Sequence, residues 1–263
     1  TATAAAAGVT TSAISELTAG SSANLTFTGS SATAGSLAGA VTLGLTSTNT
    51  VSGLDTRTLT TTATFGTTGA VYDYAKPTYD ATTLAFGNLR TGATVAAQGI
   101  TVNNLVVTAA AYQESLAVAA TSANGKLSLA GLAGLEAGVT AGTVSVEAVT
   151  TTAGSLAGNV SLGFTSLAKA NTGLTDTALT AGSVAVTGAV YDYATAGVTS
   201  QTLAFGNVHV GDTLGAQTLA VTNTLTAAAA AYQDSLSVTA TAAAAGVTTS
   251  AISELTAGSS ANL

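Results

Sequence analysis

The stretch VTLGLT (residues 41–46) alternates apolar residues with polar or small ones, and it returns 119 residues later as VSLGFT (residues 160–165). Val41, Leu43 and Leu45 fall on one face of a strand, because successive side chains of a β-strand point to opposite sides. A period of two with polar partners predicts half-buried antiparallel strands. The same period runs through QTLAVTN (residues 217–223) and SLSVTAT (residues 235–241), so strands dominate the predicted fold.

The chain repeats itself at two levels. Residues 1–25 and residues 239–263 are the same 25 letters, TATAAAAGVTTSAISELTAGSSANL, at an offset of 238. At half that offset, GAVYDYA (residues 69–75) returns at residues 188–194. Self-similarity at a fixed period is the signature of a repeat architecture, and it predicts a polymer of similar modules.

The repeated GAVYDYA sets the expected module boundaries. If each module begins at GAVYDYA, residues 69–187 are one complete module. Residues 188–263 are then the N-terminal part of the next module, and residues 1–68 are the C-terminal part of a module. About seven strand candidates per module, separated by Gly, Asn and Asp turn signals, predict a β-sandwich. We expect unpaired strand edges in both incomplete parts, which neighbouring copies complete through one polypeptide or through strand exchange.

Composition narrows the function classes. Only 6% of residues are charged, against about 25% in typical domains, and the net charge of −7 argues against nucleic acid as a partner. The absence of Cys excludes disulfides and Cys-based zinc sites. No apolar run approaches the roughly 20 residues of a membrane helix, so we predict no membrane insertion of this segment.

Two motifs carry a family resemblance. LAFGNVHVGDTLGAQTLAVTNT (residues 203–224) resembles the opening of Ig-like repeats in choice-of-anchor D type bacterial surface proteins, and AYQDSLSVTAT (residues 231–241) is similar to the strand that follows. The other copy keeps LAFGNLRTG (residues 84–92) and AYQESLAV (residues 111–118) but has VNNL (residues 102–105) in place of VTNT. The resemblance implies secreted, tandem, immunoglobulin-like sandwiches at the cell surface.

Acidic residues recur at matched places and offer one candidate metal site. Asp73 and Asp192 lie between two Tyr, and Glu114 and Asp234 hold equivalent positions. Calcium between modules is one interpretation, since Ca²⁺ takes six to eight oxygen ligands from several carboxylates. No DxDxDG-like cluster occurs, so we predict solvated turn or strand-edge acids, with no metal or cofactor, and keep calcium as the alternative.

The aromatic residues also recur in register. Eight of the twelve form matched pairs: Tyr72 with Tyr191, Tyr74 with Tyr193, Phe86 with Phe205, and Tyr112 with Tyr232. Bulky residues at the same points of both copies are predicted to be core anchors, with Tyr hydroxyls reaching the rim. A glycan-stacking platform is the alternative.

The sequence contains no combination of acid, base or nucleophile residues that indicates a catalytic site. His209 is the only histidine, the other copy has Arg90 or Thr91 near that position, and no GxSxG elbow is present. We predict a surface loop residue at His209, no catalytic residues and no enzyme. Lys76, Lys126 and Lys169, considered for isopeptide bonds, do not recur between copies, whereas Asn24 and Asn159 match the N-glycan acceptor pattern.

The sequence therefore predicts a structural protein, in which repeated sandwiches join end to end in an extracellular fibre, sheath or surface layer. Its partners are identical or near-identical copies of itself. The alternative is a spacer stalk that holds a separate adhesive domain away from the cell. The two hypotheses differ in self-association, which only the first requires.

Overall fold

The computed structural model describes residues 2–4, 7–49, 51, 53–59 and 63–263. We refer to residues 1–68, 69–187 and 188–263 as the N-terminal, central and C-terminal segments. Strands of the N-terminal segment are β1 (Ala2–Ala4), β2 (Val9–Thr11), β3 (Phe27–Gly29), β4 (Gly35–Ser36), β5 (Gly39–Leu43), β6 (Thr46–Ser47), β7 (Arg57–Thr58) and β8 (Thr64–Thr67).

The central segment holds the longest strands. They are β9 (Ala70–Val71), β10 (Pro77–Tyr79), β11 (Thr83–Arg90), β12 (Gln98–Asn104), β13 (Ser115–Ser122), β14 (Leu127–Ala130), β15 (Leu132–Leu135), β16 (Gly142–Ala148), β17 (Gly154–Ser155), β18 (Gly158–Leu167), β19 (Thr177–Ala178) and β20 (Gly182–Tyr191). The C-terminal segment has β21 (Ala196–Val198), β22 (Ala220–Asn223), β23 (Leu236–Thr239), β24 (Ala251–Leu255) and β25 (Ser260–Asn262). Single 3-10 turns occupy Ala110–Tyr112 and Ala230–Tyr232.

Two sheets share the core of the central segment. One has the order β10-β12-β16-β14, and the other has the order β11-β20-β18-β13-β15, with β17 on β20 and β19 on β18. Apolar side chains from both sheets form one buried cluster that runs from Ala75 to Val190. Val160, Leu162 and Phe164 of β18 are buried in it, as their alternation predicts. The small β-branched residues of these strands suit a pleated surface.

The prediction of an all-β fold is confirmed, and the multiple antiparallel sheets are consistent with a β-sandwich. One pairing differs: β11 runs parallel to β20, with a bulge between Ala85 and Gly87. The central segment, all of which the structure describes, also has nine strands on its two sheet paths, more than the expected seven. The difference comes partly from LAGLAGLEAG (residues 129–138), where β14 ends and β15 joins the other sheet.

The outer segments contain smaller sheets with matching registers. In the N-terminal segment the order is β1-β5-β8, and β2 pairs β3, β4 pairs β9 and β6 pairs β7. In the C-terminal segment the order is β21-β22-β25, and β23 pairs β24. The Gly39–Thr67 pair of β5 and β8 lies 119 residues before the Gly158–Val186 pair of β18 and β20. Each outer segment thus reproduces part of the pairing of the central one.

No helix in the described part of the chain is long and apolar enough to cross a membrane. The two Ala runs, residues 4–7 and 227–231, lie in different settings. Ala4 belongs to β1, and the run at residues 227–231 leads into the 3-10 turn Ala230–Tyr232. Ala5 and Ala6 lie outside the described residues.

Candidate assembly surface

The 25 repeated letters occupy two different environments. In the C-terminal copy, β24 pairs with β23 and aligns Leu255 with Leu236, and Leu255 is 8% exposed. In the N-terminal copy the corresponding Leu17 is 52% exposed and lies outside any strand. The letters are identical, so the two copies differ in their surroundings: β23 pairs with the stretch in the C-terminal copy, whereas residues 13–17 lie outside any strand in the N-terminal copy.

One stretch of the C-terminal segment matches the sequence of a strand but belongs to no sheet. Residues 202–209, which we call the unpaired segment, are the counterpart of β11, but they lie outside any strand and are exposed. Phe205 is 38% exposed, whereas the matching Phe86 of β11 is 7% exposed. Leu203 is exposed and the matching Leu84 is buried. The unpaired segment therefore presents to solvent the side chains that β11 places in the core.

The N-terminal segment has the complementary feature. In the central segment, β20 lies between β11 and β18. Its counterparts are β8 and β9, and on the described residues β8 pairs only with β5. In the central segment, β11 pairs with one side of β20. We call the equivalent side of residues 64–72 the open edge. Phe65 on this strand is exposed, whereas the matching Val184 is buried.

The central and C-terminal segments each contain one buried Asn and one buried Gln whose side-chain amides are hydrogen-bonded to each other. Gln113 is fully buried, donates through Nε2 to Asn104 Oδ1 at 3.0 Å and to the Leu105 carbonyl at 2.7 Å, and accepts from the Val107 N–H at 2.8 Å. Asn104 Nδ2 donates to the Glu114 carbonyl at 3.0 Å. Buried amides need such complete pairing, because an unmatched donor or acceptor loses its bonds to water.

The C-terminal segment repeats this arrangement almost atom for atom. Gln233 Nε2 donates to Asn223 Oδ1 at 3.1 Å and to the Thr224 carbonyl at 2.7 Å, and Asn223 Nδ2 donates to the Asp234 carbonyl at 2.9 Å. Sequence reasoning did not single out these amides. The signal that marks them is the recurrence of Asn and of Gln inside the VNN or VTN and AYQ motifs.

A polar junction connects the central and C-terminal segments. Arg90 Nη1 lies 2.6 Å from Asp234 Oδ2, and the guanidinium carbon lies 4.4 Å from the centre of the Tyr193 ring. Thr91 Oγ1 donates to Asp192 Oδ1. Both partners of the ion pair are over a third exposed, so the pair itself contributes only about 0–1 kcal/mol. Its effect is to orient one segment against the next.

The four acidic candidates do not form one cluster. Asp192 and Asp234 belong to this junction, whereas Glu114 is buried and accepts from Ser166 Oγ at 2.6 Å. Asp73 Oδ2 is buried without a hydrogen-bond partner. No group of three or more His, Cys, Asp or Glu that could hold a metal ion occurs within the described residues. Hydrogen bonds from the Thr101 side chain and N–H hold the pKa of Asp80 below its usual value.

The aromatic candidates divide into two kinds. Phe86 is a core residue, and the pairs Tyr72–Tyr112 and Tyr191–Tyr232 have the same centroid separation of 5.9 Å. Tyr74 and Tyr193, in contrast, are largely exposed, so they are not core anchors. They lie near the joins between segments, and the guanidinium of Arg90 lies over the ring of Tyr193.

The remaining candidates are on the surface or paired locally. His209 is exposed, and its N–H donates to Asp212 Oδ2. Lys126 Nζ donates to the Thr152 carbonyl, and Lys169 Nζ to Glu136 Oε2 at 2.9 Å. The N–H of Lys76 donates to Asn104 Oδ1, and the two glycan-pattern residues, Asn24 and Asn159, are exposed.

No family model, no curated protein and no solved structure matches the chain. The described residues contain an unpaired segment, an open edge and an exposed second copy of a sequence that is buried elsewhere.

Proposed function

We propose that the chain is a structural repeat protein that forms an extracellular fibre, sheath or surface layer. Its β-sandwich modules, Ig-like as the resemblance implies, associate end to end, and a neighbouring copy supplies the strands that each incomplete segment lacks. The observation that carries the proposal is the burial of Leu255 and the exposure of Leu17 within identical 25-residue sequences. The stretch is buried where a strand pairs with it and exposed where it lies outside any strand, which supports completion by added strands.

The surface chemistry supports a cohesive role. Most of the polarity comes from uncharged side chains, since only 6% of residues are charged. Salt at physiological ionic strength screens the repulsion between copies that each carry a net charge of −7, and exposed apolar strand faces supply the attraction. Stability in such an array is a sum of module terms and neighbour interfaces, and no chemical reaction is required.

The test is self-association of the purified 263-residue chain. Sedimentation velocity over a range of concentrations should show growth into large species, and electron microscopy should show filaments or arrays. Phe205→Asp should weaken association about tenfold or more, because burial of a Phe is worth about 1.5–3 kcal/mol and 1.4 kcal/mol is a factor of ten.

Leu174→Asp is the matched control. Leu174 is also an exposed apolar residue, but it lies in a loop of the central segment, so its substitution should leave association unchanged. A chain that stays monomeric at every concentration contradicts the proposal and favours the alternative, a spacer stalk of a cell-surface adhesin.

A further inference from the structure

The pairing of β11 with β20 provides a template for a contact that the chain leaves open. In the central segment the parallel register joins Thr83 to Ala185, Ala85 to Thr187 and Gly87 to Gly188. Adding 119 to the residue numbers of β11 gives the unpaired segment, and subtracting 119 from those of β20 gives the open edge. The same register therefore specifies which residues of the two would pair. The expected partners are Thr202 with Gly66, Ala204 with Thr68, Gly206 with Gly69, Asn207 with Ala70, Val208 with Val71, and His209 with Tyr72.

At the two bulge glycines, both sides already have the positive φ that this register needs. The bulge between β11 and β20 is built on two glycines with positive φ, 69° at Gly87 and 141° at Gly188. Gly206 in the unpaired segment has φ 74°, and Gly69 at the open edge has φ 124°. L side chains rarely adopt these values, so the match at both glycines indicates preorganisation for the same bulge.

The side chains also match the template. Leu84 and Phe86 of β11 belong to the central core cluster, where they lie with Val184 and Val186 of β20. Leu203 and Phe205 take their places on the unpaired segment, and both are exposed. Phe65, exposed at the open edge, takes the place of Val184, and the half-buried Thr67 takes the place of Val186. Pairing would bury apolar surface on both partners, which is the main favourable term in association.

We propose that residues 202–209 of one copy add as a parallel strand to residues 66–72 of a second copy, in the register that β11 and β20 display. This inference rests on the proposed function and specifies its contact. The interface is heterologous, since the two surfaces differ, and such an interface generates open chains of copies unless a ring closes.

Paired cysteines test the register, because the natural chain has none. Thr68→Cys with Ala204→Cys places two thiols at directly opposed positions. Both residues are exposed, and so are their counterparts Ala85 and Thr187 in the completed pairing. The full chain, oxidised under assembly conditions, should form a ladder of disulfide-linked multimers on a non-reducing gel.

Gly66→Cys with Ala204→Cys is the off-register control. A side chain at Gly66 meets no atom within 4 Å, so the variant should fold normally. A displacement of two residues, about 6.6 Å along the strand, puts the Cα atoms beyond the roughly 7 Å that a disulfide spans. The matched pair should therefore give about tenfold more linked multimer than this control.

The outcomes separate the two proposals. Association with equal or no linkage in both variants overturns the register and leaves the assembly proposal intact. Linkage of residues 68 and 204 within a single chain, seen as a faster monomer band, overturns the second copy as the partner. A chain that remains monomeric and unlinked in both variants overturns both proposals.

Discussion

At the residue scale, the buried amides show how a few polar groups position the strands. Asn104 ends β12 and Gln113 follows the 3-10 turn at Ala110–Tyr112, so their mutual hydrogen bond ties two sheets through one loop. Together they bond to the backbone of Leu105, Val107 and Glu114. These side chains therefore hold the loop between β12 and β13 together with the backbone bridge between Asp73 and Gln113.

Gln113→Ala should destabilise the chain by about 2–4 kcal/mol. The substitution leaves the Val107 N–H and the Leu105 carbonyl without their partner in a partly buried site, and each lost partner costs about 1–3 kcal/mol, whereas Asn104 Oδ1 keeps the Lys76 N–H. Denaturant unfolding measures the loss. Gln98→Ala is the matched control, because Gln98 makes one exposed hydrogen bond to the Ala85 carbonyl, and its loss should cost less than about 1 kcal/mol. Equal losses in both variants would show that the amide pair has no special role.

The sequence did not predict this pair, and the reason is physical. Gln and Asn are usually exposed, so a recurring AYQ motif does not by itself indicate burial. The burial of Gln113 depends on acceptors from Asn104 and Leu105, which approach only after the sheets pack. The exposure of Tyr74 was likewise not predictable, because recurrence marks a repeated position without telling whether it faces the core.

At the element scale, the parallel pairing of β11 with β20 depends on a glycine in β20. Gly188 has φ 141°, and a Cβ there would lie 2.7 Å from the Gly87 carbonyl oxygen. Gly188→Ala should therefore cost about 2–4 kcal/mol, from backbone strain and from displacement of β11. Thermal or denaturant unfolding measures the change.

Gly163→Ala is the control for this prediction. Gly163 lies inside β18 with ordinary backbone geometry, and an added Cβ would meet its nearest neighbours at 3.7 and 3.8 Å, which is normal van der Waals contact. Its substitution should be within about 0.5–1 kcal/mol of the natural chain. A Gly188→Ala variant as stable as Gly163→Ala would mean that the bulge tolerates a side chain.

Strand faces were predictable from the sequence, but strand partners were not. The period of two in VSLGFT indicated that Val160, Leu162 and Phe164 face the core, and all three are buried. The parallel pairing of β11 with β20 joins residues about 100 positions apart, and periodicity carries no information about such long-range register. The Gly-rich stretch at residues 129–138 was ambiguous for a different reason: β14 pairs with β16 and β15 pairs with β13, and periodicity does not tell which sheet a short strand joins.

At the scale of the whole molecule, the chain contains two kinds of join. At the join seen between the central and C-terminal segments, Arg90 contacts Asp234 and Tyr193. By the repeat, His209 would take the place of Arg90 at the other join, beside Tyr74 and Glu114 of the next copy. Glu114 is already buried against Ser166, so it offers no exposed carboxylate for a similar ion pair.

An assembled array should therefore have a true axial period of two modules. Each module is on the order of 40 Å long, as estimated from the rise of about 3.3 Å per residue along its strands, so the period should be about 80 Å. The 238-residue offset of the identical letters and the alternation of arginine and histidine joins both require this doubling. Electron diffraction or helical averaging of filaments measures it directly. A single period of about 40 Å, without a longer one, would mean that the joins are equivalent and that the central and completed outer modules pack alike.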